Sequence, residues 1–160
     1  MASDIFLKID GITGESQDSK HLGEIDITSW SWAVHQEGRM MSGSGGGAPK
    51  ATAHDMELIH NIDRASPGLM TACFAGRRFA QAVLTLRKAG GLPLDFMKIT
   101  LSDVLITKVS PCGGGGGGGH FEQIHLSFAK IRQEYLMQNP SGGSAGSVVG
   151  SFDIKNNAVA

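Results

Sequence analysis

Cysteine is almost missing from this chain. Cys73 and Cys112 are the only two, with no framework spacing, which fits free thiols in a chain folded in the cytosol better than a disulfide scaffold. Long apolar runs are missing too: no stretch approaches the ~18 residues of a membrane-spanning helix. The opening MASDIFLKIDG lacks the basic head and long apolar centre of a secretory signal. Neither charge dominates, since 14 basic and 15 acidic side chains leave a formal charge of −1, which argues against a general nucleic-acid binder.

Catalytic patterns are equally scarce. Six histidines form no H-E-x-x-H and the cysteines no C-x-x-C, so no metal set has useful spacing. His54 and His125 alternate with apolar neighbours and read as strand-surface residues. Gly113–Gly119 is followed by no Lys-Ser/Thr and no helix start, so it reads as a hairpin connection rather than a phosphate loop. No serine lies in a G-x-S-x-G elbow, and the carboxylates show no acid–base pair. Nothing here points to an enzyme or a cofactor.

What is present is glycine, at about twice its usual ~7% share, and alternation. Fourteen of the 23 glycines fall in Gly43–Gly47, Gly113–Gly119 and Gly142–Gly146, which marks long connections between strands. With 41% hydrophobic residues, 160 residues suit one soluble domain with a real core, spanning 1–160. The segment HLGEIDITSWSWAV, His21–Val34, is its centre. Ile25 and Ile27 alternate with Asp26 and Thr28; then the phase flips, and Trp30, Trp32 and Val34 oppose Ser29 and Ser31. The strand therefore bulges near Thr28–Ser29 or is covered on both sides. Both tryptophans of the chain sit here, and Trp30 and Trp32 are expected in the core.

Asp4–Asp10 alternates as a strand, with Ile5, Leu7 and Ile9 on one face. Gln36–Lys50 breaks all periodicity, an extended loop that is either functional or a plain surface excursion; Met40 and Met41 offer adaptable apolar contacts in it. Ala53–Ile62 reads as a strand. Ser66 as N-cap, Pro67 at the first position and Gly76 as C-terminal cap define a short helix, with Leu69, Met70, Cys73 and Phe74 as its buried stripe. Arg78–Lys88 fits helix or strand, the stop at Gly76 favouring strand. Leu94–Val109 changes phase at Asp103, and Phe121–Met137 repeats the device. Val148, Phe152 and Ile154 end the series. The expectation is a mainly β chain of seven or eight strands with one short α-helix, a barrel or sandwich in which strands pass between two packed antiparallel sheets.

Several segments in this order resemble the Hcp family, the haemolysin-coregulated tube proteins of the bacterial type VI secretion system. DIFLKIDGITGES, HLGEIDITSWSW, a Gly-rich loop ending at Lys50, DRASPGLMTACFAG, QAVLTLRKAGG, ITLSDVLITKVS and IHLSFAKIRQEYLMQ carry the likeness over nearly the whole chain. The resemblance implies a small β-barrel with one helix, similar to phage tail-tube proteins, and settles Arg78–Lys88 as strand. It also implies a homo-hexameric ring that stacks into a tube inside a contractile sheath, topped by a spike, and carries small effectors in its lumen. No catalysis, cofactor, nucleic acid or membrane insertion is implied. The protein would be cytoplasmic before firing, then extracellular without a cleaved signal peptide. The alternative is a secreted adaptor acting as a free protein. By the same resemblance, Ser31 faces the channel, and the loop at 36–50, with Arg39, Met40, Met41 and Lys50, supplies ring or stacking contacts. Ala33 stands where glycine is common, and the Gly-rich loop at 111–119 is purer glycine than its counterparts. Ending six residues after Ile154, the chain reads as the plain tube form.

Overall fold

Alternating side chains need a partner strand on each edge and one covered face, and the pairing follows from that need. The computed structural model describes residues 3–38, 50–90 and 92–160. Among these residues eleven strands and one helix run in the order β1 (Ser3–Ile9), β2 (Ile25–Asp26), β3 (Ser29–Ser31), β4 (Val34–His35), β5 (Thr52–Ala53), β6 (Met56–Asn61), α1 (Ser66–Ala75), β7 (Arg78–Lys88), β8 (Leu94–Cys112), β9 (Phe121–Gln138), β10 (Ser144–Asp153) and β11 (Ala158–Val159). The count exceeds the expected seven or eight because five of these strands are only two or three residues long. Arg78–Lys88 is a strand.

The large sheet runs β11-β10-β9-β8-β7-β1-β2, with β6 also on β9 and β3 on β6; β4 and β5 form a separate two-stranded ribbon. The ring of pairings closes through one short piece of chain. Ile27 N–H donates to the carbonyl of Ile5 on β1, and the next residue, Thr28, donates to the carbonyl of Ile59 on β6. The expected Trp strand is thus cut where its phase flips, and the cut is what joins β2 to β3 and closes a barrel around the core.

The other two phase changes lie in one row. Ile99 and Leu101 of β8 are buried before Asp103, and Val104 and Ile106 after it. In β7 the buried set passes from Ala82 to Phe79, and in β9 from the half-buried Ile131 to Phe128. These residues face one another directly, as Ala82↔Leu101↔Ile131 and Phe79↔Val104↔Phe128. Asp103 has a left-handed φ of 58°, uncommon for a non-glycine residue, and turns the strand there. Three strands exchange faces together, so one sheet wraps a single core cluster with both of its faces.

The helix differs from the expected stripe. Leu69 is fully buried and Cys73 half-buried, but Met70 is 48% and Phe74 87% exposed. The buried line is Ser66, Leu69 and Ala72, at spacing three, because α1 meets the core through one narrow face only. Met70 lies one position, ~100°, round from Leu69, and Phe74 one position round from the half-buried Cys73. Ser66 is the first helical residue rather than the cap, which is Ala65; the Ser66 hydroxyl accepts from Asp63 N–H and the Asp63 carboxylate from Ala65 N–H. Gly76 ends the helix at φ 60°, where Gly76 and Arg77 N–H donate to Cys73 and Ala72 carbonyls.

Candidate assembly surfaces and inner wall

Three outer features have the chemistry of contact rather than catalysis. The first is a polar wall. Trp30 faces Leu58 in the core register, so Ser29 and Ser31, its neighbours on β3, point outward. Ser31 lies opposite Glu57, Glu57 opposite His125, and His125 opposite Lys108. His125 Nε2 lies 3.7 Å from Glu57 Oε1, and Thr107 Oγ1 donates to Asp55 Oδ2 at 2.6 Å. Small hydroxyls and charged side chains therefore share this strand face, which makes it a polar surface.

The second is an arm. After the face exchange, β9 leaves β6 and continues with β10 alone on that edge, from Lys130↔Asp153 to Gln138↔Ser144. Its core-side residues keep their alternation but lose their cover. They form an open groove of about 410 Å³ lined by Trp32, Ile131, Tyr135, Val148 and Phe152 among others. Tyr135 is 41% and Val148 59% exposed. Trp32 sits at the groove's inner end, edge-on to Phe128 at 6.5 Å. Trp30 and Trp32 are therefore half-buried residues against the core margin, not fully enclosed ones.

The third is the β4–β5 ribbon, where Val34 pairs with Ala53 and His35 with Thr52 at the base of the 36–50 loop. Val34 is 59% exposed. Lys50 is exposed beside it, whereas Arg39, Met40 and Met41 lie outside the described residues. The glycine tract joins β8 to β9 as a hairpin whose last pair is Cys112↔Phe121.

Sequence reasoning missed the buried polar groups. His60 is inaccessible and Glu122 nearly so; they face each other across β6 and β9, with Nε2 to Oε1 at 2.8 Å. Their signal was legible: His60 continues the Met56–Leu58 phase and Glu122 the Ile124–Leu126 phase, so two ionisable groups occupy core positions on adjacent strands. Arg87, 7% exposed, reaches Asp4 at 3.1 Å and Asp18 at 2.5 Å, tying the 11–24 loop onto β1 and β7. The Arg87 hydrogen bond, helped by Lys20 N–H, lowers Asp18 to about 2. Burial raises Asp26, and Asp63, Asp4 and Asp18 add to the effect. His21 stacks on Phe6 with centroids 4.3 Å apart and bonds to Glu24 and Asp95. Among the described residues no group of three or more His, Cys, Asp or Glu could hold a metal ion, and no helix is long and apolar enough to cross a membrane.

Residues 6–135 match the family model described as "Type VI secretion system effector, Hcp". The curated protein hcp1 of Pseudomonas aeruginosa is 41% identical, with all of both chains covered. The crystal structure of Hcp1 from Salmonella typhimurium has a TM-score of 0.83 at 42% identity, again over all of both chains. A type VI secretion system effector from Yersinia pestis has a TM-score of 0.78 at 35% identity, covering 94% of this chain and 99% of the other.

Proposed function

Since the chain belongs to the Hcp family of type VI secretion proteins, we propose that it is the subunit of the secretion tube: six copies close into a ring, rings stack, and the tube is expelled with small effectors in its lumen. The observation that carries this reading is the uncovered arm. A head-to-tail ring needs two different complementary surfaces on each copy. The arm groove is one, a core face of the sheet that continues past its own core. The ribbon and its loop, with Arg39, Met40, Met41 and Lys50, supply the other. Covering each half-exposed Tyr, Val or Met side chain contributes up to about 1–2 kcal/mol per residue, which over several residues and two contacts per copy is enough to hold a ring.

The wall bearing Ser31 serves as the inner surface. Hydroxyls and mixed charges let cargo be held by hydrogen bonds and released without dragging apolar surface from water. Sheath and spike are the further partners of such a tube, which fills in the cytoplasm and ends outside the cell. The polypeptide works as a single domain, 1–160, and the family's role is structural rather than enzymatic.

Val148→Glu tests the reading. It places a charge in the groove, and native mass spectrometry should show six copies for the parent and one for the variant, with an unchanged melting temperature for the isolated chain. Hexamers from the variant would remove the arm from the contact. A parent that stays monomeric at micromolar concentration would favour the adaptor reading.

A further inference from the structure

The two buried histidines among the described residues differ in what faces their rings. His60 has Glu122 on Nε2, and its Nδ1 makes no hydrogen bond. His21, 8% exposed, has a carboxylate on each nitrogen: Glu24 on Nδ1, and Asp95 Oδ2 on Nε2 at 3.2 Å. An ionised carboxylate only accepts, and a neutral imidazole carries one N–H and one lone pair. Both contacts are therefore attractive only while the three groups hold two protons between them. That is one more than a neutral ring beside two carboxylates. Loss of the extra proton sets a lone pair against a carboxylate, and one contact opens.

Burial decides which. Glu24 is three residues along the same loop, and its side chain is about as buried as the ring; Asp95 stands on β8 and is 38% exposed. Asp95 can take up water as it leaves, whereas a freed Glu24 stays enclosed. The contact that opens is thus the one tying the loop to another element. The loop has a second tie, Arg87 to Asp18, but a guanidinium keeps its charge as pH rises.

We propose that His21, Glu24 and Asp95 form a proton-operated clasp. Closed, it fastens the tip of the 11–24 loop to β8; with one proton fewer, the tip is free on that side while Arg87 still holds the loop. His21 stands between two grooves of about 340 and 240 Å³, both lined by its ring with Thr85 and Lys98, so opening joins them. Asp95 adjoins Phe96, which lies edge-on to Tyr135 of the arm at 6.4 Å, so the clasp holds the loop to the strand beside the arm.

Other charged groups surround the ring on every side. Asp18 and Lys20 come from the loop, Lys8 from β1 with Asp10 just past it, Lys98 from β8 and Glu134 from β9. Arg87 of β7 lies over Phe6, the ring on which His21 stacks. Asp10, Asp18 and Glu134 favour the extra proton, and Lys8, Lys20, Arg87 and Lys98 oppose it. Of the carboxylates, Glu24 and Asp95 are the ones that touch the ring nitrogens.

The clasp does not depend on the tube reading, and the full-length protein tests it in any oligomeric state. Deuterium uptake read by mass spectrometry reports two things at each pH. Slow exchange at the His21 ring carbon follows its protonation, and backbone exchange over 16–24, corrected for the intrinsic effect of pH, follows the tip. Tip protection should fall about tenfold as pH rises, with its midpoint where the ring loses the proton. Asp95→Asn should remove the step, and so should Glu24→Gln, because an amide can accept from an N–H or donate to a lone pair. A ring that titrates without a change in tip exchange overturns the proposal, as does a ring whose proton count never changes while the chain is folded. A step that persists in both variants overturns it too. Circular dichroism should stay constant across the step; a loss of signal there would make the change global unfolding and remove the clasp.

Discussion

The two halves of β9 have the same alternation and different fates. In Phe121–Phe128 the inward residues Glu122, Ile124, Leu126 and Phe128 are at most 9% exposed, while farther on Tyr135 and Met137 reach 41% and 40%. β8 runs beside both halves; on the other edge the first half has β6, with β3 beyond it, and the second has only β10. Amphipathicity therefore sets which face of a strand is apolar, and the surrounding elements decide whether that face is a core or a binding surface.

The sharpest way to break this comparison is at the closed end. His60→Leu leaves the Glu122 carboxylate buried without its partner and should destabilise by about 4 kcal/mol in urea unfolding, with most of the loss recovered when Glu122→Leu is added. A single variant as stable as the parent would mean that water reaches the pair. Leu126→Ala, also in the closed half, should cost about 3 kcal/mol through lost burial and a cavity. The matching change in the arm, Val148→Ala, should cost the isolated chain about 0.5 kcal/mol or less. Similar losses at both sites would show that the arm has its own cover.

Acid acts on individual carboxylates with opposite signs. Asp18 has a folded pKa of about 2 against an ordinary carboxylate value of 3.8, so its contribution is fully present above the higher value and is lost as pH falls through the lower one. Asp153, lowered chiefly by the Asn156 backbone N–H, loses its contribution in the same direction. Asp26 opposes both, because its raised pKa is relieved when acid protonates it. Asp18→Asn should flatten the fall of stability between about pH 4 and pH 2, followed by circular dichroism. The smallest structural effect belongs to the open polar wall. Ser31→Glu should leave stability and ring mass unchanged while lowering the amount of effector that copurifies; undiminished cargo would remove Ser31 from the inner wall.

Most of the architecture was legible in the residues. The phase flip after Thr28 and the change at Asp103 both stand where the alternation of apolar side chains breaks, and Gly76 ends the helix because a left-handed cap favours glycine. The Met70–Phe74 face was read wrongly, since periodicity identifies apolar residues but not which of two adjacent helical faces meets the core. His60 and Glu122 were passed over because each looks like a polar interruption until the two strands are paired.

Taken alone, the sequence determined the alternation, the breaks in it, the turns and the family, since these depend on local geometry and on residue order along the chain. Tertiary structure alone decided that three separate breaks form one crossing row, that consecutive residues Ile27 and Thr28 close the barrel, and that β9 outruns its own cover. Each of these depends on pairing between residues distant in sequence, and no local pattern records what lies across a strand.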